Sequence, residues 1–180
     1  GGFVPAPNPD AGYGGPSGDV TIINYGSLTT NADSSAAIVA LSVGGGGGDA
    51  GRQSAVGQYG ANGGPGADGG LVTVKNTGTI YTLSTSSVGI EAISVVFVGG
   101  TGGLDASAFL GGGGAGGGGG AGGNVEAINT GYICTGGTCS TSMAANAGAG
   151  WAPGIFAQSV GGGGGGGCLE STSAAIIADS

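Results

Sequence analysis

This sequence predicts an all-β protein, a parallel β-solenoid (β-helix) of about three 52-residue repeats carrying glycine-rich extended or loop segments. Three observations predict it. A short motif around an asparagine recurs at near-constant spacing, apolar residues alternate along that motif, and a second apolar motif leads each time into glycine. Fixed-period self-similarity marks repeat architectures, in which one unit has no core of its own and gains it by stacking on its neighbours.

The first element is Val20-Thr21-Ile22-Ile23-Asn24-Tyr25-Gly26-Ser27-Leu28. It returns as Val72-Thr73-Val74-Lys75-Asn76-Thr77-Gly78-Thr79-Ile80 and as Val125-Glu126-Ala127-Ile128-Asn129-Thr130-Gly131-Tyr132-Ile133. The asparagines are 52 and 53 residues apart. Val20, Ile22, Asn24, Gly26 and Leu28 share one parity, the period of a strand with one buried face. The second element is Ala37-Ile38-Val39-Ala40-Leu41-Ser42-Val43, repeated at Gly89–Val95 and Gly154–Val160. Both of its parities are largely apolar, the pattern of a strand buried on both sides.

Strands are therefore expected at about 20–28, 37–43, 72–80, 88–97, 125–133, 154–160 and 173–179, stacked in parallel. The chain reads as one repetitive segment, with repeats at about 19–70, 71–123 and 124–180 and residues 1–18 as the tail of a preceding repeat. From the asparagine to the isoleucine of the second element is 14 residues in two copies and 26 in the third. The extra residues, with Cys134, Cys139 and Trp151, are expected in a loop on one face. Ser173–Ser180 match Ser35–Ser42 nearly position for position. That match predicts a further layer, continuing the same polypeptide or stacking head to tail on the next subunit.

In-register stacking places Asn24, Asn76 and Asn129 above one another. Two readings are open there: an inward amide ladder between layers, or an asparagine serving a turn beside glycine. Two are open for the glycine tracts as well. Residues 111–123 lack the strict period of three of collagen. They are either loops or extended polyproline-II-like helices that approach closely for want of side chains.

Composition excludes several functions. Of 180 residues 50 are glycine, and two basic residues face ten acidic ones, for a net charge of −8. Nucleic acid is bound through clusters of Lys and Arg, so it is not expected as a partner. No 18-residue apolar run is present to span a membrane, and Gly1-Gly2-Phe3-Val4-Pro5 does not read as a signal peptide. There is no histidine, which removes Ser–His and Cys–His nucleophile pairs and histidine metal sites. The sole lysine, Lys75, lies outside any phosphate-binding loop. No catalytic residue, cofactor or metal site is expected. Gly44–Asp49 and Gly63–Asp68 each fit the core of a calcium-binding nonapeptide but do not tile as tandem copies do. Cys134-Thr135-Gly136-Gly137-Thr138-Cys139 is expected to close on itself through a Cys134–Cys139 disulfide, in keeping with an oxidising extracellular setting. Cys168 is left free, buried or paired elsewhere.

Asn-x-Gly-x-Ile/Leu followed by Gly-Ile-x-Ala-x-Ser-Val and a glycine run resembles the passenger repeats of large autotransporter-type adhesins of Gram-negative bacteria. Gly154-Ile155-Phe156-Ala157-Gln158-Ser159-Val160 with Gly161–Gly165 carries the resemblance best, and it extends over nearly the whole chain. It implies a β-helical passenger on the cell surface, meeting a host or neighbouring cell in adhesion, aggregation or fibre formation. The expected function is thus a structural or adhesive extracellular surface protein or fibre component. The alternative is a ligand-binding β-solenoid module for glycan or ice, and after it a calcium-binding repeat.

Overall fold

A computed structural model describes residues 10–52, 59–104, 112–136 and 152–167. Among them there is no helix; nine strands form three parallel sheets of three. The strands are β1 (Val20–Asn24), β2 (Ser27–Thr30), β3 (Ile38–Gly44), β4 (Val72–Asn76), β5 (Thr79–Thr82), β6 (Ile90–Val96), β7 (Val125–Asn129), β8 (Tyr132–Thr135) and β9 (Ile155–Val160). They pair as β1-β4-β7, β2-β5-β8 and β3-β6-β9, so each passage of the chain adds one strand to every sheet in a solenoid-like stack. Asn24 pairs with Asn76 and Asn76 with Asn129, and Ile38, Ile90 and Ile155 share one row.

The parallel pairing agrees with the expectation, but each nine-residue first element is two strands rather than one. The chain turns at Tyr25-Gly26 and at Thr77-Gly78, so Val20–Leu28 does not run straight. Side chains before and after the corner keep the same parity, which is why the alternation reads through it. The strand expected at 173–179 lies outside the described residues.

The core is narrow. Inward rows from the three sheets bring Ile38 and Ala40, Val72 and Val74, Ile80, and Ile90 and Ala92 together, with Val20, Ile22, Leu28, Val125 and Ile133 at its two ends. The middle layer is sealed by its neighbours, so Val72, Val74, Ile80 and Ile90 have no exposure. Each such side chain contributes roughly 1.5–3 kcal/mol by leaving water. Alanine at 40 and 92 keeps one wall thin, and β3 and β6 pack against β1 and β4. Ser34 and Ser86, at equivalent places in the turns before β3 and β6, both have φ 54°. Non-glycine residues adopt that region rarely, and the Ser34 N–H bonds to the Thr85 carbonyl of the next layer.

One expectation fails. The second element is buried on a single face: Ile38, Ala40 and Ser42 point inward, whereas Val39, Leu41 and Val43 are exposed. No element of the described residues covers that outer row.

The glycine tracts are ordered. One column of segments leaves the third sheet (45–52, 97–104, 161–167), and another returns to the first (10–18, 59–70, 112–123). Gly48 donates to the Gly12 carbonyl, Gly64 to Gly48, Gly100 to Gly64, Gly117 to Gly100 and Gly165 to Gly117, at 2.7–2.9 Å, a zigzag through all six segments. Within the returning column Gly60, Gly63, Gly66 and Gly69 donate to Gly112, Ala115, Gly118 and Ala121. Bonding thus recurs at every third residue, the period of polyproline II.

Among the described residues the only glycine at positive φ is Gly136. The tracts therefore need glycine for space rather than for conformational freedom. A Cβ on Gly47 would overlap the Gly64 carbonyl, and one on Gly64 the Gly12 carbonyl.

Candidate functional site

The residues that could carry chemistry are arranged as ladders running along the stack. The asparagine ladder begins at the corner between the first two strands of each repeat. Asn24 Nδ2 donates to Asn76 Oδ1 at 2.7 Å, and Asn76 Nδ2 donates to Asn129 Oδ1 at 2.7 Å. Each amide also holds its own corner: Nδ2 of Asn24, Asn76 and Asn129 donates to the carbonyls of Gly26, Gly78 and Gly131. The Gly26 N–H returns a bond to Asn24 Oδ1. Ladder and turn, two readings of these residues from sequence, are both present. The amide has two N–H donors and one oxygen with two lone pairs, enough to do both.

A serine ladder closes the opposite corner, and sequence reasoning missed it. Ser94 is fully buried; its Oγ donates to the Gly70 carbonyl and accepts from the Gly123 N–H, both at 3.0 Å. Ser42 Oγ bridges Gly18 O and Gly70 N–H in the same way, and Ser159 Oγ donates to Gly123 O. Each serine ties the third sheet to the glycine segment that leads back to the first. The signal was present, a serine at one fixed place in every copy of the second element, but a single hydroxyl in a strand does not announce its partner.

The acidic residues form a third set. Asp10, Asp19, Asp49 and Asp68 each accept a backbone N–H from the layer that follows: Asn62, Leu71, Thr101 and Ala121, at 2.7–3.0 Å. Asn62 does the same for Ala115. The carboxylates thereby satisfy backbone donors of the neighbouring layer. Thr101 binds Asp49 through its backbone N–H and its Oγ1, and these bonds hold the Asp49 carboxyl below its ordinary value of 3.8. The two stretches read as calcium nonapeptides place Asp49 and Asp68 in different columns, each engaged with its own amide. Among the described residues no three His, Cys, Asp or Glu side chains gather to hold a metal.

Cys134 is disulfide-bonded. Cys139 and Cys168 lie outside the described residues, and with them the expected Cys134–Cys139 pairing. On the outer face of the second sheet the Tyr81 and Tyr132 rings lie 5.8 Å apart, tilted by 53°. No helix of the described residues is long and apolar enough to cross a membrane.

No protein-family model matches the chain, and neither does any curated protein or solved structure.

Proposed function

We propose that this chain is a non-catalytic structural segment of an extracellular surface or fibre protein, a parallel β-solenoid whose role is to form and extend a rod. One observation carries the reading. All three sheets stay in register from layer to layer: equivalent residues are 52 or 53 apart throughout the first two sheets. In the third the longer step from Ile90 to Ile155 is taken up before β9, so the strands still pair residue for residue. Asn24, Asn76, Ser42, Ser94, Asp49 and Asp68 all bond from one layer to another. The resemblance to autotransporter passenger repeats favours a place on the cell surface and a role in adhesion or aggregation.

The ladders also support axial continuation, either as more repeats of one polypeptide or as head-to-tail subunits. Asn24 presents an amide oxygen, and Asn129 an amide N–H, toward opposite ends of the stack. Those groups are complementary. Contact of that kind does not close on itself and generates a filament.

Electron microscopy of the purified chain, with diffraction from aligned samples, tests the proposal. Filaments with an axial spacing of about 4.8 Å between layers are expected. A compact particle that never elongates and never binds cells would refute it. The tilted Tyr81–Tyr132 pair on an outer sheet face favours a second reading, a glycan-binding module, because flat aromatic surfaces stack on sugars. Saturable binding on a glycan array, lost in Tyr81→Ala, would support that reading.

A further inference from the structure

Parallel sheets are nearly always covered on both faces, yet the outer face of β3-β6-β9 carries an apolar array open to solvent. Val39, Leu41 and Val43 of β3 stand beside Ile93 and Val95 of β6 in the same outward rows. Phe97 and Val98 extend the array where the chain enters its glycine segment. Val39, Leu41, Phe97 and Val98 are 57%, 51%, 59% and 60% exposed. We propose that this face is a lateral docking surface for a second copy of the chain, packed sheet against sheet.

Area, charge and shape select that occupant. Four side chains exposed to about half, with Val43 at 39% and the half-buried Ile93 and Val95, offer on the order of 500 Å² per copy. That reaches the range of a monomer's largest apolar patch and more than half of the roughly 800 Å² per partner in a standard interface. The joint formed is a reversible dimer rather than an obligate one.

The chain carries a net charge of −8, so two copies repel wherever their carboxylates face. Asp10, Asp19, Asp49 and Asp68 lie on the glycine segments, Asp33 in the turn before β3, and Glu126 on β7. Among the described acidic groups Glu91 alone stands on this face, at the edge where β6 begins. The surface that admits a like-charged partner is thus the apolar one.

Its outward residues come from paired strands and make a broad face, not a groove around a peptide or small ligand. Two such faces stack about 10 Å apart with interdigitating side chains. This pairing is independent of the axial stacking proposed above.

The test is sedimentation velocity of the full chain over a concentration series, with far-UV circular dichroism confirming the fold of each variant. The wild type is expected to form a dimer that dissociates on dilution. Leu41→Lys should weaken dimerisation at least about tenfold, whereas Thr21→Lys on the outer face of β1 should leave it unchanged. Axial stacking instead yields an open series of sizes that Leu41→Lys does not alter.

Should Leu41→Lys unfold, Ile93→Cys decides. A covalent dimer mapped by peptide analysis to residue 93 of both copies supports the proposal, and failure to crosslink overturns it. A wild type that stays monomeric to about 1 mM, or a dimer retained in folded Leu41→Lys, would also overturn it. So would a monomer that floats with neutral phosphatidylcholine vesicles, since lipid would then be the occupant.

Discussion

Replacing the central rung of the asparagine ladder should cost several times more than replacing either end. Asn76 has no exposure and makes three hydrogen bonds: one accepted from Asn24, one donated to Asn129 and one to the Gly78 carbonyl. Each is worth about 0.5–1.5 kcal/mol net, and a buried partner left without its bond costs more. Asn76→Ala should therefore destabilise the protein by about 3 kcal/mol. Asn129 is exposed and Asn24 partly so, and each has one neighbour in the ladder instead of two. Water replaces part of what they lose, and about 1 kcal/mol is expected for either alanine variant. Urea denaturation followed by far-UV circular dichroism reads the difference directly. Equal losses at all three positions would show that the amides act only in their own turns. The inference of a load shared between layers would then be wrong.

Three further outcomes follow from the same geometry. Ser94→Ala removes a buried hydroxyl that both donates and accepts, and should lower stability by about 1–3 kcal/mol in the same assay. Gly64→Ala should prevent the glycine columns from closing, because the new Cβ meets the Gly12 carbonyl, whereas Gly118→Ala meets nothing within 4 Å and should raise the melting temperature slightly by restricting the unfolded chain. The Asp49 carboxyl is held below 3.8 in the folded state by the Thr101 amide and hydroxyl. Its contribution is present above that pH and is lost as the pH falls through the lower folded value. Asp49→Asn, which does not ionise, should shallow the acid limb of a pH-stability profile below about pH 4.

Much of the strand layout was legible because β-structure writes itself at a period of two. Val20, Ile22, Asn24, Gly26 and Leu28 keep one parity through the corner, so alternation located the element but hid the turn at Tyr25-Gly26. The opposite failure occurred at Val39, Leu41 and Val43. An apolar residue carries no mark that separates a covered face from an open one, and the expectation of two buried faces was wrong for that reason. The glycine tracts held an overlooked signal. Tyr59-Gly60-Ala61-Asn62-Gly63-Gly64-Pro65-Gly66-Ala67-Asp68-Gly69-Gly70 places a larger residue at every third position, and Tyr59, Asn62, Pro65 and Asp68 occupy the outward phase of the column. The stretch at 111–123 shows that phase only through Ala115 and Ala121, which are the sole residues in it other than glycine.

The amino-acid sequence by itself determined the repeat, the parallel stacking and the asparagines' common register, because these follow from spacing and parity along one chain. The tertiary structure alone decided what the polar residues are for. Ser94 bonds to segments 24 and 29 residues away, and Asp68 to an amide 53 residues on. A hydrogen bond depends on distance and angle in space, and neither is set until neighbouring layers have closed over one another.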